Sequence, residues 1–136
     1  MNQRGTFEKS NRPVLFKVHP DLEKKIAWIA LGNFPTPVQR LQRMGPENLW
    51  IKRDDLSSPI YGGNKIRKLE FILGHAKKKK GSAKVITFGG IGTNHGLATA
   101  IYCHKLSIPC KLLLFWQPVT EHVQNNLLLF NNYNTE

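Results

Sequence analysis

The order of elements in this chain predicts an α/β fold, a parallel sheet with flanking helices in three layers. The first observation is alternation. Leu49–Ile51, Lys84–Phe88 and Cys110–Trp116 read as strands, and each is followed by a helical stretch, which argues for parallel strands joined by crossovers. The second is composition: the last two strands are short, β-branched or apolar runs of the kind buried on both faces. The third is a glycine turn at two of the strand-to-helix passages, Gly62-Gly63 and Gly89-Gly90-Ile91-Gly92.

Residues 1–13 are polar and read as a flexible arm, with 14–136 forming one domain. Val14–Val18 reads as a short strand. Asp21 is placed to cap a helix running to Leu31, with Gly32 as its stop. Gly32-Asn33-Phe34-Pro35-Thr36-Pro37 is a rigid loop, because its prolines lack a donor and hold the preceding residues extended. Val38–Met44 suggests a turn of helix, and Gly45-Pro46-Glu47 a reversal. The helix Asn64–Lys80 has Ile66, Leu69, Leu73 and Ala76 on one apolar face, with Gly81 as its stop. Asn94–Leu106 is a helix of small residues suited to close packing on a sheet. The last helix begins at Val119 or Thr120 and runs to Asn132.

The charge is +11, from 20 Lys and Arg against 9 Asp and Glu, which makes nucleic-acid binding a competing class. The basic residues do not gather into a motif, however. Their densest run, Lys77–Lys80, ends a helix, where cations suit the dipole, and no aromatic–basic interleaving appears. A non-catalytic basic α/β module thus stands as the alternative, with nucleic acid an unfavoured partner. The longest apolar run, Ile26–Leu31, is too short to span a bilayer. No secretory signal is visible, so a cytoplasmic location is expected. Cys103 and Cys110 read as reduced, buried thiols without zinc spacing, and no metal site is expected.

Two stretches carry chemistry. In Gly62-Gly63-Asn64-Lys65, a tight turn opens a helix, with Asn64 as the N-cap. Lys65 falls in the first turn, where the helix dipole disfavours a cation. A lysine held there is a candidate nucleophile toward an aldehyde, because only the neutral amine attacks. The second stretch is Gly89–Gly96. Its glycines follow GxGxxxG, one residue too long for the dinucleotide fingerprint, and the next strand ends Leu114-Phe115-Trp116-Gln117 without the ribose-binding acid. A P-loop is absent as well. What remains is a hydroxyl, a carboxamide and an imidazole, from Thr93, Asn94 and His95, beside the free N–H groups of a helix N-terminus.

Together with Leu31–Pro37 and Lys52-Arg53-Asp54-Asp55, the block Gly62-Gly63-Asn64-Lys65-Ile66-Arg67-Lys68-Leu69-Glu70 and Gly89–His95 resemble the fold-type-II pyridoxal-phosphate enzymes. The nearest branch is that of 1-aminocyclopropane-1-carboxylate deaminase and D-cysteine desulfhydrase, and order and spacing agree from about Val14 onward. The resemblance implies pyridoxal 5'-phosphate as cofactor, held covalently by Lys65. It implies Lys68 as a phosphate contact and Asn94 as the partner of the ring oxygen. Thr93 stands where the family has a serine that acts on the substrate. His95 resembles the desulfhydrase, where the deaminase has glutamine, and Gly92 replaces another glutamine. Thr93, Asn94 and His95 are therefore the expected substrate contacts, with a small D- or cyclic amino acid as substrate. An α-keto acid and ammonia are the expected products, and a homodimer the expected full-length state.

All eleven glycines lie at or before Gly96, so the backbone cradle expected for a phosphate is not found in the last forty residues. The expectation is an N-terminal portion of such an enzyme, inactive by itself.

Overall fold

The computed structural model describes residues 12–41, 48–79, 83–133 and 135–136. Residues 1–11 of the expected arm at 1–13, the turn at 45–47 and the stop at Gly81 lie outside the described residues. The elements are α1 (Val14–Val18), β1 (Val38–Arg40), β2 (Trp50–Lys52), α2 (Lys65–Lys78), β3 (Val85–Gly90), α3 (Asn94–Lys105), β4 (Cys110–Phe115) and α4 (Glu121–Asn132). Short 3-10 turns occupy Pro20–Lys24 and Asp54–Ser57.

The mixed α/β architecture and the three later helices follow the sequence reading. β3 and β4 run parallel, with Val85 opposite Cys110 and Phe88 opposite Leu113, and α3 makes the crossover between them. The core lies between this pair and the helices. Ile66, Leu69 and Leu73 of α2 meet Ala98, Tyr102 and Cys103 of α3, and Phe130 of α4 closes on Leu97 and Ile101. The stretch from Gly96 to Cys103 is buried throughout, which its small side chains permit.

Five local readings are corrected. Val14–Val18 is a helical turn, not a strand: only Phe16 turns inward, edge-on to the rings of Trp28 and Phe71, while Val14 and Val18 face out. Pro13 sets this turn by accepting the Phe16 N–H. The helix expected from Asp21 to Leu31 stops as a 3-10 turn at Lys24. Beyond it, the N–H groups of Ile29, Leu31 and Gly32 bond to Glu70, so this backbone cannot also close a helix upon itself.

Val38–Arg40 is a strand where a helical turn was expected, and 42–44 lie outside the described residues. It takes Trp50–Lys52 as an antiparallel partner, Gln39 opposite Ile51. The first of the three expected parallel strands thus belongs to a separate hairpin-like sheet, and two parallel strands remain. An isolated strand satisfies its donors with whichever edge is adjacent, and periodicity does not name that edge.

The last correction concerns burial. Both β3 and β4 were expected to be buried on both faces. Val85 and Thr87 turn toward the helices, but Phe88 and Phe115 on the other face are 76% and 60% exposed, with Ile86 and Leu113 beside them. The apolar composition is that of a sheet covered twice, and the described residues cover it once.

The tie that orders the first half is Glu70. Its side chain is buried, yet its carboxylate receives the Trp28 indole N–H at 3.1 Å and the N–H groups of Leu31 and Gly32 at 2.9 and 3.1 Å. Each unmet buried donor costs about 1–3 kcal/mol. Glu70→Ala should therefore lower the unfolding free energy by about 3 kcal/mol or more, whereas Glu70→Gln, which keeps an oxygen for the two backbone donors, should cost less. Urea denaturation checks this; a loss below about 0.5 kcal/mol for Glu70→Ala would show that the tie carries no weight.

Candidate cofactor site

Lys65 owes its position to a turn fixed on several sides. Gly63 has φ +118°, a conformation L side chains avoid, and a Cβ at Gly62 would lie 2.1 Å from the Asp55 carbonyl. The Gly63 N–H donates to the Asp54 carbonyl at 2.7 Å and to Ser57 Oγ at 2.9 Å. Tyr102, fully buried on α3, donates its hydroxyl to the Tyr61 carbonyl at 3.0 Å. The entry to α2 is thereby anchored to the helix that carries the second half of the site.

A second network surrounds Arg67. Its Nη2 donates to Asp54 Oδ1 at 2.6 Å and to Thr36 Oγ1 at 3.1 Å, and its guanidinium lies 4.5 Å from the centre of the Phe34 ring. Thr36 Oγ1 donates to Asp54 Oδ1 at 3.0 Å, and Lys52 Nζ donates to the Thr36 carbonyl. Arg67's hydrogen bonds hold the Asp54 carboxyl below its ordinary range. Residues 31–37, 52–55 and 62–70, which are separate in sequence, therefore form one frame. Within it Arg67 and Glu70 are supports, and Lys65 and Lys68 remain on the accessible side of α2.

Asn64 does not cap α2. It has helical φ and ψ, and its Oδ1 instead receives Lys65 Nζ at 2.7 Å. A cap would have to accept from the N–H of Ile66 or Arg67, but Asn64 is already helical in its own backbone and its side-chain oxygen is taken by Lys65. Thr93 does cap α3, its Oγ1 accepting the Gly96 N–H at 3.2 Å, and keeps its own hydroxyl proton for another acceptor. Asn94 is exposed, and Thr93 and His95 are half-buried.

His95 joins the two halves. Burial, and then the charges of Lys68 and Lys65, push its imidazolium below the ordinary histidine value. Both lysines thus lie near enough for their charges to be felt at the ring that follows Thr93 and Asn94 in the chain. His95 Nδ1 is buried without a hydrogen-bond partner among the described residues. Such a buried polar atom calls for a ligand or water. The donor set suits an anionic aldehyde: lysines for a phosphate and a carbonyl carbon, an amide and a hydroxyl for oxygen atoms, and a helix N-terminus. No group of His, Cys, Asp and Glu among the described residues could hold a metal.

The profile of the pyridoxal-phosphate dependent enzymes matches residues 29–133, which takes in both lysines and the start of α3. The chain belongs to this family. It is 43% identical over 104 residues to a Thermotoga maritima protein assigned as a 1-aminocyclopropane-1-carboxylate deaminase, covering 74% of this chain and 32% of that one. It is 37% identical over 110 residues to a D-cysteine desulfhydrase of Salmonella paratyphi B, covering 75% of this chain and 33% of that one. A crystal structure of a 1-aminocyclopropane-1-carboxylate deaminase homologue superposes with a TM-score of 0.71 at 36% identity, over 92% of this chain and 37% of that one. The chain thus spans about a third of the length of these relatives.

Sequence reading missed one residue of the site. Asn126 of α4 is buried, and its Nδ2 reaches Asn94 Oδ1 at 3.0 Å. The signal was available: Asn126 interrupts the helical stripe formed with Val123 and Phe130, and a polar residue within an apolar stripe marks a buried partner.

The depressed His95 value has a consequence for stability. The unfolded chain takes up the histidine proton near pH 6.5, its ordinary value, and the folded chain only at lower pH. As pH falls below 6.5 the unfolded state binds more protons, so stability is lost in that window. His95→Gln should flatten the fall. Urea midpoints between about pH 7.5 and about pH 5.5 measure it, and equal slopes in the two proteins would contradict the assignment.

Proposed function

We propose that this chain is the lysine-bearing portion of a pyridoxal-phosphate-dependent deaminase or desulfhydrase. Its substrate would be a small amino acid of the 1-aminocyclopropane-1-carboxylate or D-cysteine type, and its products an α-keto acid and ammonia. The observation that carries the reading is the family match over residues 29–133, which takes in Lys65, Lys68, Thr93 and Asn94, with His95 Nδ1 buried and unpartnered among the described residues. Relatives assigned to both activities support the substrate class.

Pyridoxal phosphate supplies an aldehyde for the substrate amine and a ring that takes up electron density from the substrate carbon. Lys65 is the residue that would hold it covalently and that would, as a free amine, move protons at the substrate carbon. Lys68, one helical turn away on the same side, would neutralise the phosphate. The Asn94 carboxamide would serve the ring oxygen. The Thr93 hydroxyl, already accepting from Gly96, retains a proton to share with the substrate. His95, kept neutral by burial and the two lysines, gives the substrate a hydrogen-bonding atom rather than a second positive charge. A cytoplasmic homodimer is the full-length state in this reading.

Residues 1–136 alone would bind the cofactor weakly and turn over no substrate. The open apolar face of β3 and β4 supports this, because a surface of that composition needs cover.

Borohydride reduction tests the assignment, since it turns a reversible lysine–aldehyde linkage into a stable amine. In a chain extended to the length of its relatives, peptide mapping should place the pyridoxyl label on Lys65. A label on Lys68 or on Lys77–Lys80 would overturn the reading. Residues 1–136 alone should release unreduced cofactor on gel filtration, and tight retention would contradict the weak-binding part.

A further inference from the structure

We propose that Asn126 is a positioning residue that fixes which end of the Asn94 carboxamide faces the cofactor; this rests on the reading above. Asn126 is 4% exposed, in the middle of the inner face of α4. Its Nδ2 lies 2.8 Å from the Gly92 carbonyl oxygen and 3.0 Å from Asn94 Oδ1. The Gly92 carbonyl can only accept, so the Asn126 atom facing it must be the NH2 group. That NH2 carries two protons and no available lone pair. The Asn94 atom beside it must therefore be an acceptor, its Oδ1. Polarity thus passes from a backbone carbonyl, through Asn126, to Asn94.

The consequence lies on the other side of Asn94. With Oδ1 turned back into the protein, its own NH2 is left for the ligand, and the position accepts an oxygen bearing negative charge while disfavouring a donor. His122 Nε2 also lies 3.3 Å from Asn126 Nδ2. Two protons cannot serve three acceptors, and the two shorter contacts, to the two oxygens, take them.

Gly92 makes the contact reachable. A Cβ there would come within 2.6 Å of Val123 Cγ2, so α4 approaches the turn closely because Gly92 lacks a side chain. Thr120 caps α4 at its start and fixes its register.

Two measurements on the chain decide the matter. The first is side-chain amide exchange by NMR. Both Asn126 protons should be protected and those of Asn94 should exchange as at the surface; fast exchange at Asn126 would overturn the geometry. The second is a binding cycle, in the chain extended to the length of its relatives, with pyridoxal 5'-phosphate and its analogue lacking the ring hydroxyl. Asn126→Leu, similar in shape, should weaken pyridoxal phosphate by about tenfold and the analogue by less than about twofold. In an Asn94→Ala background Asn126→Leu should have no further effect on pyridoxal phosphate. Equal weakening of both compounds would reduce Asn126 to a structural residue and overturn the proposal. If the extended wild-type chain bound neither compound, the cofactor reading would fall, while amide exchange would still settle the orientation of Asn94.

Discussion

A buried carboxylate organises the first half of this molecule. Glu70 lies on the inner side of α2 and gathers an indole and two backbone N–H groups from the segment 28–32. A charged acceptor in so dry a place is tolerated because those donors converge on it. Without it, the extended segment would keep its donors buried and unmet, and the loop from Gly32 to Pro37 would lose its seat. From that loop Thr36 and Phe34 meet Arg67, three residues before Glu70 on the same helix. Two side chains of one helix thus hold one loop from two directions, and Lys65 begins the helix they fix.

Seen this way, the most distinctive block of the sequence divides its labour. Gly62 and Gly63 make the turn, Lys65 and Lys68 stay on the accessible side, Ile66 and Leu69 enter the core, and Arg67 and Glu70 hold the frame. Little in the block is left unassigned. The second half follows the same plan with different parts: Thr93 closes the start of α3, Gly92 admits α4, and Asn126 restrains the amide beside them. Tyr102 links the halves through the Tyr61 carbonyl.

What the sequence disclosed divides along physical lines. The helices α2, α3 and α4 were legible because an apolar stripe with a stop or a cap is a local property. The candidate site was legible because its residues sit on two short motifs at helix starts. Pairing was not legible. Trp50–Lys52 found Val38–Arg40 rather than the parallel sheet, and a three-residue strand has no periodicity that names its neighbour. The extended path of Ile29–Gly32 was hidden for a related reason, since its partner, Glu70, lies about forty residues away. Ile26–Leu31 looks helical until its donors are traced. Asn64 shows the converse error: it has the right type for a cap, but its backbone is already helical and its side-chain oxygen is taken by Lys65.

The central claim is that the frame around Arg67 and Glu70 sets Lys65 against the start of α3. It is tested most directly by the rate of borohydride trapping of pyridoxal phosphate at Lys65 in wild type and in Arg67→Ala, with Lys77 as an internal control. Displacing a reacting group by about 1 Å can cost up to about a hundredfold in rate. The account predicts that Arg67→Ala, while retaining its circular dichroism, slows trapping at Lys65 by at least about tenfold and leaves Lys77 unchanged. Equal trapping rates at Lys65 in the two proteins would contradict it.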